Sequence, residues 1–199
     1  MIDLTGIDVL LVIASNDFRD EEYREPAQAL AHAMAGVVIA SSSKDAASGM
    51  FGAQVEPDLL LSEVDVSKYA AIIYVGGSGA SEYFESATAH KIAQDAVAQD
   101  KLVCAICSAA STLANAGVLK GRKATCFTSE KANLEAKGAK VVKKSVVRDG
   151  RIITANGPDS AAAFAKVICE TLAEERPQEE TPAGEPARED WPNERPDGP

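Results

Sequence analysis

Cys107 stands at the corner between an apolar strand, Leu102 to Ile106, and a small-residue helix that begins at about Ser108. That arrangement is the local grammar of a nucleophile elbow, a sharp strand-to-helix turn that lifts one side chain out of the backbone. The small residues Ala105, Ser108 and Ala109 let strand and helix approach closely. A thiol at a helix N-terminus is held as thiolate more easily than a free one, so nucleophilic chemistry is expected at Cys107. The backbone N–H of Ser108 would point the same way as the thiol. Together with an amide from Gly76 or Gly77, in Gly76-Gly-Ser-Gly79, it could form an oxyanion hole.

The proton chemistry has one concentrated source. The run Asn16-Asp-Phe-Arg-Asp-Glu-Glu-Tyr-Arg-Glu-Pro26 follows the first strand. By composition it reads as a solvated first helical turn that complements the helix dipole. One carboxylate of the run could instead turn inward over the sheet edge. Beside a thiolate its pKa would rise, which makes it a candidate proton shuttle.

The other reactive residue types offer less. Cys104 and Cys107 spell Cys-x-x-Cys. Three residues of strand span roughly 10 Å, however, and a disulfide needs Cα atoms within about 7 Å. Cys126 and Cys169 read as core packing. His32 and His90, the only histidines, fall in predicted helices and are assigned surface or packing roles. The sequence has no zinc-type ligand cluster, no dinucleotide fingerprint and no Walker motif, so neither a metal nor a cofactor is expected.

The elements that must position these groups alternate along the chain. Ile7–Ala14, Val37–Ser41 and Ala70–Val75 are apolar runs that read as buried strands. Asp20 to about Ala35 reads as a helix with Tyr23, Pro26, Ala27, Leu30 and Met34 on one face, ended by Gly36. Short strands are expected around Val55 and Leu59–Leu61, and a helix at about 87–99. After the elbow helix a strand is expected over Lys123–Phe127, with Ser129 capping a helix that runs to Lys137. Val141–Val142 and Ser145–Val147 should pair with Arg151–Thr154 through a turn at Asp149-Gly150. Asp159 or Ser160 should cap a last helix that carries Ala161, Phe164, Val167, Ile168 and Leu172 inward. Alternating units of this kind build a doubly wound, mostly parallel α/β sheet with helices on both faces. Sites in such sheets form outside the carboxyl ends of the strands. Four segments sit at such ends: Ser15–Glu22, Gly76–Gly79, Cys107–Ser108 and Asn156–Pro158.

Composition sets the outer limits. The chain has 199 residues, is 46% apolar and carries a net charge of −10. The acidic balance argues against nucleic acid as a ligand, because phosphate binding needs a basic footprint. Residues 1–176 read as one domain. Residues 177–199 hold six of the nine prolines, seven acidic residues and a single aromatic, Trp191. They read as a disordered acidic tail, with a short docking segment around Trp191 as the alternative. The opening apolar run is too short to span a membrane, no signal sequence is evident, and a cytoplasmic protein with free thiols is expected.

In order and spacing, several segments together resemble the ThiJ/PfpI family, over about Val9 to Leu172. They are Phe18-Arg-Asp-Glu-Glu-Tyr-Arg-Glu-Pro26, Tyr74-Val-Gly-Gly77, Val103-Cys-Ala-Ile-Cys-Ser-Ala-Ala110, Leu113 to Thr125, Val146-Val-Arg-Asp-Gly150 and Ile153-Thr-Ala-Asn-Gly-Pro158. The resemblance implies a flavodoxin-like sandwich related to class I glutamine amidotransferases. It assigns the reactive cysteine to Cys107. It selects Glu22 from the acidic run, because the family's glutamate lies four residues before the proline matched by Pro26. That glutamate is held protonated against the thiolate. It also implies a homodimer or a larger assembly. The chain departs from the pattern at three positions. Ser108 stands where the protease-like branch has histidine. The deglycase branch's histidine position falls at about Phe127. Val75 replaces the proline before the glycine pair.

The expected function is therefore a cofactor-independent, glyoxalase- or deglycase-like enzyme of stress defence. It would act on small reactive aldehydes such as methylglyoxal through the Cys107 thiolate and Glu22. One alternative is a redox-sensing or chaperone-like stress protein whose Cys107 is oxidised. Another is a hydrolase of small amides or nitriles. Peptidase activity is not expected without the family histidines.

Overall fold

A computed structural model describes residues 2–174 as a three-layer α/β sandwich. Its central sheet has seven strands: β1 (Asp8–Val12), β2 (Gly36–Ser41), β3 (Leu59–Leu60), β4 (Ala71–Tyr74), β5 (Leu102–Ile106), β6 (Val146–Asp149) and β7 (Ile152–Ala155). They lie in the order β6-β7-β5-β4-β1-β2-β3. All neighbours are parallel except β6, which runs antiparallel to β7 at the edge. Five helices surround the sheet: α1 (Asp20–His32), α2 (Ala87–Ala98), α3 (Ala110–Asn115), α4 (Lys131–Ala136) and α5 (Ala161–Glu174). The expected architecture is the observed one.

The central strands are apolar throughout because successive side chains enter opposite faces and both faces are covered. Val9, Leu11, Ala71, Ile73, Leu102 and Cys104 join the core beneath α1 and α5. Leu10, Val12, Ile72, Tyr74, Val103 and Ala105 join the core on the α2–α4 side. A third, smaller core of Ile13, Ala14, Phe18, Ala47, Val55 and Val75 sits at the carboxyl end of β1. It underlies a small sheet formed by Asn16–Phe18, Ala47–Gly49 and Gln54–Val55. The strand at Ala47–Gly49 is not foreseen from its sequence, which is short, polar and rich in small residues.

Local expectations fail where side-chain chemistry diverts the chain. Helix α1 ends at His32, and the left-handed residue after it is Met34 (φ 65°), not Gly36. Met34 is 66% exposed rather than part of the buried face. Gly36 instead opens β2, where the Asp8 carboxyl occupies the space a Cβ would need. The strand expected over Lys123–Phe127 shortens to Lys123–Ala124 and pairs in parallel with Lys140–Val141. Only Val146–Asp149 pairs with Ile152–Ala155, so the turn centres on Gly150-Arg151, one residue later than expected. Ser129 caps nothing; its hydroxyl donates to Glu130 Oε1 at 2.6 Å, and α4 starts at Lys131. Ser160 likewise donates to Asn156 Oδ1 at 2.6 Å. A short 3-10 turn, Pro158–Ser160, leads into α5.

The loops beyond the strand ends are tied down individually. Tyr83 Oη donates to the Ile13 carbonyl at 2.8 Å, anchoring the Ser78–Tyr83 turn to the end of β1. The Glu82 carboxylate accepts from the Ser15 N–H at 2.9 Å and from the Ser42 hydroxyl. The Val75 N–H donates to the Val12 carbonyl at 3.0 Å, a bond a proline at this position could not make. Among the described residues no helix is long and apolar enough to cross a membrane. The tail expected over 177–199, with Trp191, and the end of the domain at 176 lie outside the described residues.

Candidate active site

The site begins with strained backbone. Cys107 has φ 61°, a left-handed conformation that costs an L residue about 1–2 kcal/mol. Strand β5 delivers the chain to the end of the sheet, and Cys107–Ala109 forms a 3-10 turn that leads into α3. The elbow expected from sequence is therefore present. Strain of this kind persists only where surrounding structure holds it. Here the Phe127 N–H donates to the Cys107 carbonyl at 3.2 Å, and β5 is fully buried.

The acidic run splits by direction. Glu21 faces outward and pairs with Arg19 at 2.8 Å. Asp20 and Glu22 turn inward, contrary to the solvated first turn that composition suggests. Asp20 accepts from the Phe51 N–H at 2.9 Å and the Ala53 N–H at 2.8 Å, so it holds the turn between the last two strands of the small sheet. Glu22 is fully buried beneath the Cys107 thiol. Neither of its oxygens has a partner at full hydrogen-bond geometry. The thiol and the Gly76 N–H are nonetheless close enough to act on it electrostatically.

Burial pushes the Glu22 carboxyl up to about 7, against the opposing pull of the Cys107 thiol, the Arg19 charge and the Gly76 N–H. Burial and then the Glu22 charge push Cys107 up to about 12, while the Ser108 and Gly77 N–H groups pull it down. The thiolate expected from a helix N-terminus is thus not the resting condition of an isolated thiol. The turn is short and the site dry, so desolvation outweighs the amides. The two groups titrate as a pair. One proton leaves near neutrality, and the charge left behind opposes loss of the second. A thiolate forms when the remaining proton rests on Glu22.

The two glycines divide the work. The Gly77 N–H acts on the Cys107 sulfur together with the Ser108 N–H, whereas the Gly76 N–H acts on Glu22. Gly77 has φ 110°, and a Cβ there would lie 2.4 Å from the Arg19 nitrogen and 2.5 Å from the Asp17 carbonyl oxygen. A Cβ on Gly76 would lie 2.4 Å from Glu22 Oε2 and 2.7 Å from the Cys107 Cβ. The Ser108 hydroxyl donates to the Gly77 carbonyl at 2.9 Å, locking the two amides in register.

These groups open into a cleft of about 340 Å³. All four segments expected to converge contribute to it, through Glu22, Gly77, Cys107 with Ser108, and Pro158. Arg19, Met50, Phe84 and Glu130 also form the walls and were not singled out by sequence chemistry, and Phe127, at the deglycase branch's histidine position, lines the cleft with them. For Arg19 the only signal was its place in the acidic run; its guanidinium lies 4.5 Å from the centre of the Phe51 ring. Glu130 accepts from the Ser111 hydroxyl at 2.6 Å.

Neither histidine lines the cleft. His32 is exposed on α1, and His90 Nε2 lies 2.7 Å from the Phe84 carbonyl. All four cysteines are buried and outside any disulfide. Among the described residues no group of His, Cys, Asp and Glu could hold a metal.

Comparison with known proteins bears on the family and the fold. The DJ-1/PfpI family model matches residues 8–171. Deglycase PfpI of Pyrococcus furiosus is 29% identical over 163 residues, covering 82% of this chain and 98% of that protein. Glutathione-independent glyoxalase DJR-1.2 of Caenorhabditis elegans is 29% identical over 163 residues, covering 82% and 87%. The crystal structure of a ThiJ/PfpI domain protein from Brachyspira murdochii superposes with a TM-score of 0.83 at 30% identity, covering 84% of this chain and 96% of that one. On the match over residues 8–171 and the shared flavodoxin-like sheet, the chain belongs to the DJ-1/PfpI family.

Proposed function

We propose that this protein is a cysteine-dependent enzyme of the glyoxalase or deglycase type, acting on small reactive aldehydes without a cofactor. The observation that carries the reading is the pairing of the strained Cys107 with a fully buried Glu22 whose carboxyl titrates at about 7. The names of the Pyrococcus furiosus and Caenorhabditis elegans relatives support the same class.

With methylglyoxal, the Cys107 thiolate adds to the aldehyde carbon and the carbonyl electron pair moves to oxygen, giving a hemithioacetal. The Gly77 and Ser108 N–H groups face that developing oxyanion. Glu22 first gives the thiol's proton to that oxygen; as carboxylate it then takes the proton from the former aldehyde carbon and returns it to the adjacent carbon, while a proton passes from the one oxygen to the other, turning the hemithioacetal into a hydroxyacyl thioester. Water then cleaves the thioester, releasing lactate and restoring the thiol. The net change is addition of one water to methylglyoxal. In this reading the protein works in a reducing cytoplasm as a homodimer, and sedimentation tests the dimer. The activity test is hydroxy-acid formation by wild type, Cys107→Ser and Glu22→Gln. Turnover in wild type alone supports the mechanism.

A further inference from the structure

Half of the chain's basic residues lie between Leu119 and Arg151, ten of 20, against three of the 30 acidic ones. In a chain of net charge −10 this is a segregated basic block. Three of its lysines, Lys131, Lys143 and Lys144, line a second cavity of about 690 Å³, and among the described residues Asp159 is the only carboxylate in its lining. Lys131 makes only a 3.7 Å contact with Glu135, and no ion pair holds Lys143 or Lys144 among the described residues. The cavity adjoins the reactive cleft, since Phe127 and Pro158 line both. Its volume is in the range that encloses a metabolite-sized molecule. Three lysines lining one concavity attract a multiply charged anion more strongly than scattered surface lysines do.

We propose that this cavity is a binding site for a small polyanionic metabolite, recognised through Lys131, Lys143 and Lys144 and distinct from the aldehyde site at Cys107. Two chemistries supply such charge, carboxylates and phosphates, and they are separable by probe. Calorimetric titration of the full chain with citrate and with inorganic pyrophosphate tests the site.

Saturable binding of at least one probe is expected, weakened about tenfold or more in Lys143→Gln/Lys144→Gln and weakened by added salt. The probe that binds identifies the source of charge. Binding is expected to be unchanged in Cys107→Ser, which separates this site from the catalytic reading whether or not that reading holds. No saturable binding of either probe would overturn the proposal, as would equal binding by the double-lysine variant or loss of binding in Cys107→Ser.

Discussion

At the residue scale the account turns on one shared proton. Glu22 is the group that can accept the thiol proton without exposing charge to water, because the two sit together in a desolvated site. Alkylation of Cys107 by iodoacetamide should therefore rise with pH and level off near pH 7, where the pair loses its first proton. In Glu22→Gln the charge that opposes the thiolate is gone and the thiol ionises against burial alone. Its alkylation rate should keep rising through neutrality instead of levelling off, reaching about tenfold the wild-type rate by about pH 8, one pKa unit above the wild-type plateau onset. A plateau retained near pH 7 would mean that Glu22 does not limit the thiolate. The elbow at Cys107 was legible from sequence, since small flanks and a strand–helix corner constrain the backbone. The inward turn of Asp20 and Glu22 was not legible from composition. Charge runs carry no record of which side chain faces a sheet edge, and Glu22 was separated from its neighbours only by family resemblance.

At the element scale the site is a set of backbone approaches at the ends of strands, and these tolerate no added atoms. Gly77→Ala combines a left-handed φ with contacts under 3 Å to the backbone of 17–19. It should cost about 3 kcal/mol of stability in urea unfolding. Asp20→Ala removes two charge-assisted hydrogen bonds that hold Phe51 and Ala53. It should also cost about 3 kcal/mol, and it should loosen the loop that brings Met50 to the cleft, seen as faster amide exchange at residues 51 and 53.

The central strands and α2 were legible because their apolar patterns are long and their burial uniform. The elements after Ala124 were less so. There the strands are two to four residues long, and local bonds such as Ser160 to Asn156 divert residues whose types suggest caps. The walls at Arg19, Phe84 and Glu130 come from separate turns, and only tertiary packing brings them together.

At the scale of the whole molecule, burying a carboxyl at the end of the sheet links stability to pH. The folded pKa of Glu22 is raised from 4.5 to about 7, so the native state holds more protons than the unfolded state between those values. That contribution is fully present below pH 4.5 and is lost as pH rises to 7, a fall of about 3 kcal/mol. Glu22→Gln has no such titration. Its melting temperature should gain on wild type progressively from pH 4.5 to 7 and then run parallel above pH 7. A constant offset across that range would mean that Glu22 is ionised throughout.

The measurement that bears most directly on the central claim is hydroxy-acid production from methylglyoxal by wild type, Cys107→Ser and Glu22→Gln, with folding of each variant verified by circular dichroism. The Cys–Glu mechanism predicts turnover in wild type and its loss in both variants, with no histidine in the cleft needed. Absence of turnover in wild type while Cys107 still alkylates readily near neutral pH would contradict it.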